Sequence, residues 1–341
     1  MKKFTKGCLI TALVLFVFGL AFYGICGMMG GFGQLKAWNG HTFRLWGHDM
    51  RLAYSGYGFW YITDDDTGMN FGIGIMDEIG GGIGLEAGTK EKVKDSDSGV
   101  RKLEIECGGS NLVIQESEDD YIWVARDQEA WPVKYKLQNG IFKLYSEKNL
   151  RWWNWEDLTK RTVYLYLPKD MSLESIDLEL GAGTLESIAL EADEIDVELG
   201  AGTAVIESLY GNEIDLFTGA GSLEVGEITA GDLSAEAGAG MLFIQSFSAD
   251  KVEMNVSAGS LEAEGTIGRN ADLECGVGSM NLILHGAETD YDYEIECAVG
   301  EIILGENSYS GLSSERTIRN GGRSVLDIEC AMGSVIIDFV D

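Results

Sequence analysis

Carboxylates are the commonest reactive side chains in this chain, and some of them recur at a fixed spacing. Asp177 and Glu179 return nineteen residues later as Asp196 and Glu198, and Asp272 and Glu274 repeat the pair further on. Paired carboxylates can hold a hard cation through oxygen ligands or serve as the acid and base of a glycosidase. With 56 Asp and Glu in 341 residues, no glycosidase pair stands out. The repeating pairs therefore read either as a divalent-cation surface or as a solvated charged face that keeps the protein soluble. The GGxGxD loops of calcium β-rolls are absent. A second group is Trp152, Trp153 and Trp155, in a chain whose eight Trp all precede residue 156. Such a cluster suits a membrane interface, a glycan or a protein partner, or else plugs the end of a core. Six cysteines include Cys275, Cys297 and Cys330, which could form disulfides or act as small buried apolar groups. His41, His48 and His285 belong to no HExxH motif, and no Walker loop, CxxC pair or GxSxG elbow exists. No catalytic residue and no cofactor is expected.

The elements that must position these groups follow from a repeat. Gly181-Ala182-Gly183 recurs as Gly200-Ala201-Gly202, Gly219-Ala220-Gly221, Gly238-Ala239-Gly240, Ser257-Ala258-Gly259 and Gly276-Val277-Gly278, giving five successive intervals of 19. Looser copies are Ala298-Val299-Gly300, Ala331-Met332-Gly333 and an early Cys107-Gly108-Gly109. Apolar and polar residues alternate on either side, as in Ile195-Asp196-Val197-Glu198-Leu199 and Ser222-Leu223-Glu224-Val225. Period two marks a strand with one buried face. Nineteen residues hold two or three short strands and tight corners, but not a strand plus a full helix. Glycine at each corner provides either a positive φ or room for a neighbour. One coil cannot bury its own apolar side, so coils must stack. The predicted fold is all-β, a single-stranded parallel β-solenoid of about 19 residues per coil over 171–341, right-handed by analogy with other β-helices. Eight coils at about 4.8 Å each make a rod of roughly 35–40 Å. Residues 305–324 should leave the stack as a loop, and the last strand, Ser334 to Val340, should present an open edge. Residues 100–170 read as a strand cap, with a hairpin at Asn139-Gly140.

The N-terminus is of a different kind. Lys2, Lys3 and Lys6 precede an uncharged stretch whose most apolar part runs from Cys8 to Met29. That is long enough for a spanning helix of about 20 residues, with the basic end in the cytoplasm. A cleaved signal peptide is the rival, although the apolar run is long and no clean Ala-x-Ala follows. Residues 1–33 are therefore expected to be a transmembrane signal anchor and 34–99 a flexible glycine-rich tether. This places the C-terminal domain outside the cell membrane.

Charge excludes further classes. Residues 1–170 carry 20 basic and 22 acidic groups, whereas 171–341 carry 5 and 34. A surface this acidic does not bind nucleic acid. The Gly181-Ala182-Gly183-Thr184-Leu185 repeats, and Val163-Tyr164-Leu165-Tyr166-Leu167-Pro168 before them, resemble the bacterial putative-adhesin family of β-strand-repeat domains of unknown function. The resemblance implies a non-catalytic module on a single N-terminal membrane anchor and supplies no catalytic residues. The expectation is an adhesin-like interaction or cell-envelope structural module with a glycan or protein partner. One alternative is a self-assembling scaffold, a homo-oligomer stacked end to end like the bactofilins. Another is a carbohydrate-active β-helix enzyme, though such enzymes project basic residues into a groove and these coils are nearly bare of them.

Overall fold

The structure is a computed structural model. It describes residues 42–45, 48–54, 59–64, 70–74, 83–93, 99–127, 133–146, 162–169, 171–310 and 314–340. The expected anchor, residues 8–29, and the three tryptophans at 152, 153 and 155 lie outside these. Among the described residues no helix is long and apolar enough to cross a membrane.

The chain divides into two compact units, Met1–Ile79 and Gly80–Asp341. In the first, strands Thr42–Leu45, His48–Tyr54, Phe59–Asp64 and Asn70–Gly74 form an antiparallel sheet in chain order. The segment expected as a flexible or partly ordered tether over 34–99 contains these strands. Its aromatic and β-branched runs, such as Phe59-Trp60-Tyr61-Ile62, carry strand propensity that the surrounding glycines do not cancel. The end of that segment, Ile83–Gly84 and Lys90–Lys92, joins the sheet of the second unit.

The second unit is a solenoid with the expected nineteen-residue winding. Leu180 pairs in parallel with Leu199, Leu199 with Thr218, and Thr218 with Ala237. Each coil has a strand on a first face, a tripeptide corner and a strand on a second face. Four long bent strands run from the second face of one coil to the first face of the next: Thr203–Thr218, Ser222–Ala237, Met241–Val256 and Ser260–Cys275. Inward positions stack into apolar columns, of which Ile176, Ile195, Ile214, Leu233 and Val252 form one. The corners are joined by their own backbone ladder, in which Ala201 donates to Gly181, Ala220 to Gly200 and Ala239 to Gly219. The hairpin at Asn139-Gly140 forms as expected, with φ of 56° and 77° at its two central residues.

One inward column holds a polar break. Thr218 lies between Leu199 and Ala237, is fully buried, and its Oγ1 has no hydrogen-bond partner. A buried hydroxyl without a partner costs roughly 1–3 kcal/mol. The isosteric Thr218→Val change is therefore expected to raise the thermal midpoint by about 3 °C. An unchanged or lowered midpoint in a calorimetric scan would contradict this.

Both ends of the stack depart from sequential order. At the C-terminal end, Asn270–Cys275 pairs with Val325–Cys330, which in turn pairs with Asp292–Cys297. On the second face, Ser279–His285 pairs with Ser334–Val340, which pairs with Glu301–Leu304. The last coil in sequence is thus inserted beneath the one that precedes it. The edge expected to be open along Ser334 to Val340 is covered over Ser334–Ile337, which pairs on both sides, while Asp338–Val340 pairs on one. The segment expected as a loop over 305–324 instead supplies two cap strands. Asn307–Ser310 and Ser314–Ile318 run antiparallel along the terminal coil. At the other end, Lys102–Cys107 and Asn111–Glu116 lie against Leu173–Leu180 and Thr184–Ser187, and Ile141–Ser146 and Thr162–Leu167 lie outside them. Antiparallel strands Val133–Gln138 and Trp123–Arg126 follow, with Ile83–Gly84 and Lys90–Lys92 outside them. Short antiparallel strands are therefore the outermost strands at both ends of the stack.

Candidate functional site

Outward positions of the first face stack as surely as the inward ones. One column runs Glu104, Asp177, Asp196, Asp215, Ser234, Glu253, Asp272, Asp327, Glu294. Its neighbour runs Glu106, Glu179, Glu198, Phe217, Glu236, Asn255, Glu274, Glu329, Glu296. Of the six carboxylates singled out from sequence, Asp177, Glu179, Asp196 and Glu198 form one block on adjacent coils. Asp272 and Glu274 lie four coils further along and keep company with Asp327 and Glu329. Sequence reading missed Glu104 and Glu106. Their coil is a neighbour in the stack but not along the chain, and its corner is Gly108-Gly109-Ser110, one residue later than the tripeptide read from the sequence.

Like charges about 4.8 Å apart on paired strands repel. Burial, then Glu106 and Glu198, push the Glu179 carboxyl up to about 9. Burial and then Glu198 push Asp196 up to about 7. Asp177, Glu198, Asp215, Glu236, Asp272, Glu274, Asp327 and Glu329 are raised as well, in each case mainly by burial. Glu179 Oε1 is sealed from solvent with no hydrogen-bond partner. Cations stand at the two ends of the ladder: Lys143 pairs with Glu104, and Arg319 reaches Glu294 and Asp292 from beyond the cap. Among the described residues no three His, Cys, Asp or Glu side chains are arranged to hold one metal ion. A carboxyl raised this far favours its protonated form at neutral pH, which lowers the negative charge of the block.

A second surface is aromatic and basic, and the sequence reading did not find it. Tyr164 and Tyr166 lie on the outward side of Thr162–Leu167 with their rings stacked at 6.5 Å and 24°. Trp123 pairs with Tyr166 across the antiparallel ladder. Lys90 sits 3.7 Å over the Tyr166 ring and 5.4 Å over Trp123, and Lys92 sits 2.8 Å over Tyr121. Asp119 accepts the Trp123 indole N–H at 2.8 Å, and that bond holds its carboxyl below the usual range. The connection carrying Trp152, Trp153 and Trp155 joins Ile141–Ser146 to Thr162–Leu167. The ends of that connection stand at the corner that other coils turn with a tripeptide.

The comparisons with known proteins address the fold. Solved structures similar to the chain include a putative adhesin from Bacteroides fragilis, 14% identical, covering 74% of this chain and 99% of that one at a TM-score of 0.44. A putative adhesin from Parabacteroides merdae is 12% identical, covering 74% and 98% at 0.39. A putative lipid binding protein from Parabacteroides distasonis is 17% identical, covering 74% and 96% at 0.35. No curated protein matches the chain. The Toastrack DUF4097 model matches residues 100–328. These residues span most of the coils, ending before Ser334–Val340, and the chain belongs to the Toastrack DUF4097 family.

Proposed function

We propose that this chain is a membrane-anchored, extracytoplasmic and non-catalytic adhesin-like module whose contacts are made by the sides of its solenoid. The observation that carries the reading is the pair of antiparallel caps. They leave the outward columns as the repeated surface, and in a solenoid such columns are the usual binding face. Of the two sides described, the acidic ladder repels itself and suits solubility. The aromatic and basic surface around Tyr166 and Trp123 offers rings and ammonium groups to an envelope glycan or protein. The connection that carries Trp152, Trp153 and Trp155 leads into the strand of Tyr166, Thr162–Leu167. The anchor rests on Cys8 to Met29 and on the lysines before it, with the right-handed rod outside the membrane.

Two measurements test this. Alkaline extraction should leave the full chain in the membrane pellet, and protease added to spheroplasts should digest the part beyond residue 34. Release by alkali, or complete protection, removes the anchor and its orientation. Binding to purified envelope glycans and proteins should fall about tenfold in a Trp152/Trp153/Trp155 triple-alanine form, as expected for loss of a hot spot. Unaltered binding by that form moves the contact elsewhere.

A further inference from the structure

The inward column that begins at Cys107 reads Cys107, Leu180, Leu199, Thr218, Ala237, Val256, Cys275, Cys330, Cys297. Three successive cysteines therefore occupy the three coils whose stacking order differs from their order in sequence. All three are buried and free. Strands in a sheet lie about 4.8 Å apart, inside the Cα range of a disulfide, whereas coils two apart lie near 9.6 Å, outside it. In sequential stacking Cys297 would separate Cys275 from Cys330. In the observed order Cys330 separates Cys275 from Cys297. Disulfide connectivity thus reports which coil lies next to which.

We propose that Cys275 and Cys330 are a disulfide-forming pair that fixes the inserted C-terminal coil in its seat. Cys275 Sγ lies 3.8 Å from Ser334 O, a long contact that leaves it available. Cys297, the other neighbour of Cys330, also interacts with the Cys330 side chain but donates to Gly300 O in its own corner at 3.1 Å, a shorter contact than that of Cys275. A hydrogen bond from Cys330 also holds the Cys275 thiol below its ordinary range, favouring it as the attacking thiolate, while burial raises Cys297. The oxidant is a small-molecule or protein disulfide. The Cys275 thiolate attacks one of its sulfurs and releases one thiol. The Cys330 sulfur then attacks the mixed disulfide and releases the second. One S–S bond forms in the protein as one breaks in the oxidant, and the two cysteine protons leave with the two released thiols. The bond closes a loop from 275 to 330 and joins the last coil to the regular stack before the terminal coil is counted.

The test uses the purified full chain in detergent, held with excess oxidised glutathione in sub-denaturing urea so that local opening admits the oxidant. Free thiols are then alkylated in full denaturant and peptides are mapped without reduction. The expected product is a Cys275–Cys330 peptide, with a thermal midpoint about 8 °C above that of the reduced protein. Cys297→Ser should keep both the bond and the shift, and Cys330→Ser should lose both. A Cys275–Cys297 bond, a Cys297–Cys330 bond, or full alkylation of Cys275 and Cys330 would overturn the proposal.

Discussion

Gly259→Ala is expected to destabilise the solenoid by about 3 kcal/mol or more, lowering the thermal midpoint by roughly 9 °C. A Cβ on Gly259 would lie 2.1 Å from the carbonyl oxygen of Gly240 in the coil beneath. That oxygen is backbone, held by the corner ladder, and cannot swing aside as a side chain would. The third tripeptide position repeats this contact at Gly202, Gly221, Gly278, Gly333 and Gly300, with approaches of 2.2 to 2.4 Å. None of these glycines has a positive φ, so close approach between coils is what requires them. From Gly219 onward the first tripeptide position is looser. A Cβ on Gly238 would stand 2.9 Å from its neighbour, and Ser257, Ala298 and Ala331 already occupy equivalent places. Gly238→Ala should therefore cost no more than about 1 kcal/mol. Equal loss in the two variants, measured by urea titration, would show that the corner does not set coil spacing. Ser110 tests the same logic in nature. It holds a third position with a side chain, and its carbonyl oxygen is the atom a Cβ on Gly183 would meet.

These corners also show what could be read without coordinates. The interval of 19 gave the stacking of Leu180 on Leu199, because a strand's inward residue can only be covered by its equivalent in the next coil. It could not give the order of the outer coils. A tripeptide such as Ala331-Met332-Gly333 marks a coil but carries no label for its neighbour. The intervals of 22 and 33 near the C-terminus were the only sign that something intervenes. The caps were hidden for another reason. Asn307-Ser308-Tyr309-Ser310 and Ser314-Glu315-Arg316-Thr317-Ile318 lie on the edge, so they lack the apolar alternation that betrays a half-buried strand. The six carboxylates were found because their column is an outward copy of the inward repeat. Lys90 and Trp123 were missed because they meet across an antiparallel ladder between residues 33 positions apart.

Glu179→Gln should stabilise the protein at pH 9 and leave it unchanged at pH 4. Glu179 stands among Glu106, Glu198, Asp177 and Asp196, largely buried, with its carboxyl raised to about 9. A carboxyl whose pKa is higher folded than unfolded binds more protons in the native state between those two values. Stability then falls as pH rises through that window. For Glu179 the window runs from its ordinary range near 4.5 to about 9, and for Asp196 from near 3.8 to about 7. The remaining raised carboxyls act in the same sense. The thermal midpoint of the wild type should therefore decline steadily from pH 5 to pH 9, opposite to the behaviour of a protein held by salt-bridged carboxylates. Glutamine keeps the shape of a protonated glutamate and removes the charge. The variant should gain about 1–3 kcal/mol at pH 9, or some 3–8 °C, and its pH profile should be flatter. Below pH 4 both side chains are neutral and the two curves should meet. The same pair of proteins decides between proton and metal. If calcium bridged the block, it would stabilise the wild type at pH 7 beyond matched ionic strength, and Glu179→Gln would lose that gain. With a proton already on Glu179 at that pH, calcium should do no more than sodium at equal ionic strength. A wild-type midpoint that rises with pH, or a glutamine variant less stable at pH 9, would mean that this face is neutralised by something other than protons.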